Sequence, residues 1–135
     1  MNVEANKELV RQFYDLLEKE DYDAVSALCH HDFVFYFQVD TPIPGAEGFV
    51  NSEKKNFAAF QGFTMRIHEL IAERDKVVAY MIFEGKHTSA PLMGVEPTGN
   101  MVRFSLMMLL TIKDGKVIEK RAHFDQKDIL DQLKR

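Results

Sequence analysis

From Met101 to Ile112, apolar side chains recur at every second residue: Val102, Phe104, Leu106, Met108, Leu110 and Ile112. No other feature restricts the fold as strongly. Side chains of a strand alternate between its two faces, so this spacing makes one long apolar face that another layer must cover. Lys113-Asp114-Gly115-Lys116 comes next. Asp-Gly is a strong hairpin signal, because the favoured two-residue turns need positive φ. With Asp114 and Gly115 as the turn, Lys113 faces Lys116. Counting back then sets Met108 opposite Arg121, Leu106 opposite His123 and Phe104 opposite Asp125. Cross-strand neighbours share a face, so this register aims three titratable residues to the apolar side. A slip of one residue would reverse the assignment.

The remaining pattern supplies the covering layer. Residues 3–19 read as an amphipathic helix with Leu9, Phe13, Leu16 and Leu17 on one face, capped by Asn2 or Asn6. Asp21 is placed to cap a second, short helix that carries Val25, Leu28 and Cys29 inward. Phe33 to Val39 is aromatic and β-branched, as strands are. The Pro-containing stretch 40–45 reads as a loop. Residues 46–60 read as a third helix, with Val50, Phe57 and Phe60 on one side and Phe49 beside them. Strands follow at 65–72 and 77–87, joined by the polar turn Glu73-Arg74-Asp75-Lys76. Residues 88–100, with Pro91, Gly94, Pro97 and Gly99, form a long connection. After the last hairpin, Ile129, Leu130 and Leu133 mark a short terminal helix. Helices first and consecutive strands after predict a single α+β domain over residues 1–135. In it a curved antiparallel sheet wraps three N-terminal helices and encloses a pocket for a small apolar molecule.

Charge and composition exclude several classes. A net charge of −4 leaves no basic footprint for nucleic acid. No run of about 18 apolar residues exists to span a membrane, and the N-terminal residues lack signal-peptide character. A single cysteine, Cys29, cannot pair within the chain. A cytoplasmic location is the default expectation. His30-His31-Asp32 invites a metal reading, but adjacent strand residues point to opposite faces, and no further His or Cys stands at ligand spacing. No metal is expected. The odd row Met101, Met107 and Leu109 is too apolar for open solvent, which predicts a homodimer through the outer sheet face.

The ordered set of short motifs resembles the SnoaL-like polyketide cyclases, within the nuclear transport factor 2-like superfold. The resemblance runs from Asn6-Lys7-Glu8-Leu9-Val10-Arg11-Gln12-Phe13-Tyr14 through Asp32-Phe33-Val34 and Gly45-Ala46-Glu47-Gly48-Phe49. It continues in Ile71 to Val78, Gly85-Lys86-His87-Thr88 and Pro97-Thr98-Gly99. It ends in Asp114 to Glu119 and Phe124-Asp125-Gln126 with Leu130-Asp131-Gln132-Leu133. The resemblance implies a cone-shaped fold, dimers, and ring closure by an intramolecular aldol reaction without cofactor or metal. It also implies an acidic acid/base residue near the end of the last strand, where Asp125 stands. The chain departs from the family at Phe35-Tyr36, at His87-Thr88-Ser89 and at Arg121. Ketosteroid isomerases share the superfold, but the first carboxylate they need is matched only by Asp40 in a Pro-rich loop, which disfavours that chemistry.

The candidate catalytic residues are Asp125 and His123. Asp125 reads equally as the cap of the terminal helix, and His123 as a strand histidine bonded to a neighbour. The candidate substrate-binding residues are Tyr14, Tyr36, Phe104, Leu106, Met108 and Arg121. Arg121 either holds an acidic substrate group or pairs with Glu119 or Asp125. Tyr14 and Tyr36 either donate to a carbonyl or find an internal partner. His68 and His87 read as structural. Two functions stand open: cofactor-free cyclase or isomerase chemistry on a small apolar carbonyl compound, or non-catalytic ligand binding or dimeric interaction on the same fold.

Overall fold

Ten elements follow one another in the structure, a computed structural model that describes residues 2–135: α1 (Val3–Glu18), α2 (Tyr22–Ala27), β1 (Cys29–Gln38), β2 (Thr41–Pro44), α3 (Ala46–Phe57), β3 (Phe60–Glu73), β4 (Lys76–His87), β5 (Met101–Lys113), β6 (Lys116–His123) and α4 (Gln126–Leu133). The six strands make one curved, unclosed sheet in the order β2-β1-β6-β5-β4-β3. With the helices over it, the fold is α+β and of the nuclear transport factor 2-like type. Four helices are present among the described residues: the three N-terminal ones and α4, the short terminal helix after the last hairpin. Among the described residues, no helix is long and apolar enough to cross a membrane.

Local chemistry accounts for most boundaries. Asn2, Asp21 and Asp125 cap α1, α2 and α4, each accepting a hydrogen bond from a backbone N–H three residues on, which satisfies an otherwise orphaned donor. The buried stripe of α1 is Val10, Phe13, Tyr14 and Leu17, rotated slightly from the expected face because Leu9 and Leu16 are only partly covered. α1 lies across β3 and β4. α4 is fastened to β5 through Gln132, which accepts from the Arg103 N–H at 2.7 Å and donates to the Arg103 carbonyl at 2.8 Å.

Two expectations about the sheet are corrected. Residues 41–44 pair with β1 as a short strand; the prolines are tolerated because β2 is an edge. The sheet is not wholly antiparallel either, since β1 and β6 run parallel, with Phe35 beside Lys120 and Tyr36 beside Arg121.

The third correction bears on function. The turn forms as expected, with positive φ at Asp114 and Gly115 and Lys113 opposite Lys116. Ile112 pairs with Val117, but Thr111 pairs with Glu119, so Ile118 is an extra residue: a β-bulge. Beyond it the register is displaced by one. Leu110 faces Lys120, Met108 faces Ala122, Leu109 faces Arg121 and Met107 faces His123. A bulge reverses the face of every later residue on its strand. Lys120 and Ala122 therefore point inward, and Arg121 and His123 outward.

Candidate functional site

Between the concave face of the sheet and the helices lies a cavity of about 150 Å³, comparable with an engineered cavity that takes up benzene. Phe35, Phe83, Phe104, Leu106, Met108 and Ala122 form its sheet side. Ser52, Glu53, Asn56 and Phe57 of α3 close one flank, and Ile129 of α4 with Leu92 and Met93 of the long connection close another. Lys120 completes the wall. A mostly apolar lining with a few convergent polar groups is the ordinary character of a small-molecule site.

Lys120 is the unusual member, a lysine only 1% exposed. Its Nζ lies 4.7 Å from the ring centre of Phe35, 5.0 Å from that of Phe49 and 5.8 Å from that of Tyr14. It touches the Met108 sulfur at 3.6 Å. Cation–π contacts and a thioether replace the water and carboxylates that normally surround an ammonium. Burial lowers its pKa from 10.5 to about 8, opposed by the charges of Glu53 and Cys29.

Glu53 is the second ionisable group in the wall. It is half-buried, and desolvation pushes its carboxyl pKa up while Lys120 draws it down. Tyr14 lies behind Lys120, fully buried, with a hydroxyl that has no partner among the described residues. Its pKa is raised by burial first and by Glu53 second. The Cys29 thiol is likewise pushed up, to about 11, by burial. An ammonium whose pKa burial lowers and a carboxyl whose pKa burial raises thus share one apolar chamber wall, with the unpartnered Tyr14 phenol packed against Lys120. Ionisable groups perturbed by burial and by each other are what acid/base sites are built from.

Of the residues singled out from the sequence, Phe104, Leu106 and Met108 line the cavity. Tyr14 is buried and does not line it. Four others are placed elsewhere. Asp125 is exposed and its carboxylate accepts from the Asp128 N–H at 3.0 Å as the cap of α4. His123 is exposed on the outer face. Arg121 pairs with Glu119 and stacks 3.9 Å from the ring centre of Tyr36, both on the outer face. For Arg121 and His123 the physical reason is the bulge at Ile118, which turns both outward; Asp125 lies beyond the end of β6, and Tyr36 is on β1, next to the inward Phe35.

Lys120 and Glu53 were not reached from the sequence. For Glu53 a signal existed: it stands four residues from both Phe49 and Phe57, inside the buried stripe of α3. For Lys120 none did, because its orientation depends on the bulge.

The His30-His31-Asp32 group brings its ligand atoms within 4.8 Å of one another, but it belongs to β1 outside the cavity wall. His30 Nδ1 accepts the Asp32 N–H at 3.0 Å, and Nε2 lies 3.6 Å from the Asp114 carboxylate. That arrangement places the ring proton on Nε2 toward Asp114, leaving no free lone pair for an ion. His87 Nε2 donates to the Ala90 carbonyl at 2.7 Å, while its buried Nδ1 has no hydrogen-bond partner among the described residues.

The SnoaL-like polyketide cyclase family matches residues 7–133. No curated protein matches the chain. Similar solved structures include a proposed SnoaL-like polyketide cyclase from Jannaschia sp., 24% identical with a TM-score of 0.89, covering 97% of this chain and 92% of that one. AclR of Streptomyces galilaeus, a proposed hydroxylase, is 24% identical with a TM-score of 0.88, covering 98% of this chain and 83% of its own. An LEH-like epoxide hydrolase of M. tuberculosis is 21% identical with a TM-score of 0.75, covering 98% and 92%. These likenesses establish the shared fold, on which different chemistries are described. With the family match spanning nearly its whole length, the chain belongs to the SnoaL-like polyketide cyclase family.

Proposed function

We propose that the cavity binds a small apolar carbonyl compound and moves a proton on it without a cofactor, as a cyclase or isomerase does. The observation that carries this reading is the presence of Glu53 and Lys120 together in an otherwise largely apolar wall. Glu53, its basicity raised by burial, takes the proton from the carbon next to the carbonyl. The electron pair moves onto the carbonyl oxygen, and the Lys120 ammonium stabilises the enolate there. In an isomerisation the proton returns from Glu53 to another carbon. In a cyclisation the enolate carbon bonds to a second carbonyl carbon of the same molecule, and Glu53 returns the proton to the new alkoxide. Neither route changes the count of protons or electrons.

Acetophenone, of a size suited to the cavity, tests the reading. Its methyl protons should exchange in D2O faster with the protein than in buffer, followed by proton NMR. Glu53→Gln should slow the exchange by about 10²–10³-fold, within the usual contribution of one general base. Exchange equal in the two proteins overturns the assignment of Glu53. Saturable binding of acetophenone with no exchange at all points instead to the second reading, a non-catalytic carrier of small apolar ligands.

A further inference from the structure

We propose that Lys120 is a covalent site: its amine condenses with the carbonyl group of the ligand to form an imine in the cavity. This rests on the reading that the cavity takes a carbonyl compound, and deepens it. Three observations point to it. The amine is held in place by three aromatic rings, with no carboxylate of the described residues bonded to it; its close polar-atom contact is the weakly accepting Met108 sulfur. Phe35 and Met108, which it touches, are themselves cavity wall, so the nitrogen lies at the chamber's inner surface. Glu53, the group able to carry the protons of the condensation, lines the same chamber.

An exposed lysine is a strongly hydrated ammonium and a poor nucleophile; desolvation is how a protein activates one. With a pKa of about 8, the neutral fraction of Lys120 near pH 7.5 is roughly two hundred times that of an ordinary lysine. The neutral amine attacks the carbonyl carbon and forms the C–N bond. The carbonyl π pair moves to oxygen, which takes a proton from the Glu53 carboxylic acid, while the nitrogen gives one up to the Glu53 carboxylate left behind. Loss of the hydroxyl group with a proton then yields the C=N bond and one water. An imine at this position also acidifies the adjacent C–H, the same bond that the proton transfer breaks.

The test is reductive trapping of the full-length protein with benzaldehyde and sodium cyanoborohydride near pH 7.5, followed by peptide mapping. Benzaldehyde has no exchangeable α-hydrogen, so trapping is scored independently of the acetophenone exchange. The expected result is a benzyl group on Lys120, formed about tenfold or more faster than on the exposed Lys116 and Lys127. The variant Lys120→Arg should lose that adduct while the surface background stays. Benzylation of surface lysines with Lys120 unmodified overturns the proposal, whether or not the variant folds. Acetophenone exchange without a Lys120 adduct removes the imine and keeps the acid/base reading. An adduct without exchange keeps the imine and removes the acid/base reading.

Discussion

Replacing Lys120 by Met should make the protein more stable at neutral pH. The pKa of Lys120 falls from 10.5 in the unfolded chain to about 8 in the folded one. A difference of about 2.5 units at about 1.4 kcal/mol each is about 3.5 kcal/mol. The sign follows from proton counts. Between pH 8 and 10.5 the unfolded chain holds a proton here that the folded chain has lost, so stability rises with pH across that window. Below pH 8 both states are charged and the penalty of burying the ammonium is present in full. The rings of Phe35, Phe49 and Tyr14 return about 1.5 kcal/mol by cation–π attraction at this desolvated site, which leaves a net penalty of about 2 kcal/mol. Methionine is similar in length, carries no charge and suits the sulfur and aromatic surroundings. Urea unfolding of both proteins at pH 7 should show Lys120→Met ahead by about 2 kcal/mol, and thermal unfolding a rise of roughly 6–8 °C. The advantage should shrink as pH rises through that window and approach zero only above pH 10.5, where the wild-type amine becomes neutral in both states. A variant less stable than wild type at pH 7, or an advantage equal at both pH values, would refute the argument.

Asp125→Ala should cost about 1 kcal/mol through loss of the α4 cap, whereas Asp125→Asn, which keeps an accepting oxygen, should stay within about 0.5 kcal/mol; urea midpoints separate the two. Gly85→Ala should destabilise by about 1–3 kcal/mol, since an added Cβ would stand 2.8 Å from the Phe60 ring and 3.2 Å from the Phe63 Cβ, and an unchanged melting temperature would contradict that packing. Met101 and Met107, 55% and 45% exposed on the outer sheet face, make a homodimer the expected state in solution; sedimentation should show a dimer at micromolar concentration and a monomer for Met107→Asp.

Local chemistry was enough for much of this molecule. The alternation from Val102 to Ile112, the Asp114-Gly115 turn and the caps Asn2, Asp21 and Asp125 are each set by residues within a few positions, so the sequence alone determined the long strand, the hairpin, the helix starts and the apolar sheet wall of the cavity. Motif order did the same for the family. The polar members of the cavity were settled differently. Whether Lys120 or Arg121 faces inward is decided by one extra residue, Ile118, and that bulge answers to how β6 fits between β5 and β1. β1 and β6 stand far apart in the sequence, and their parallel pairing has no local signal. Glu53 gains its character only when α3 is laid against the sheet and Lys120 comes into range. Periodicity reports which residues can share a face; only the assembled sheet decides which face that is, because strand register is a long-range contact and a single residue of slip inverts it.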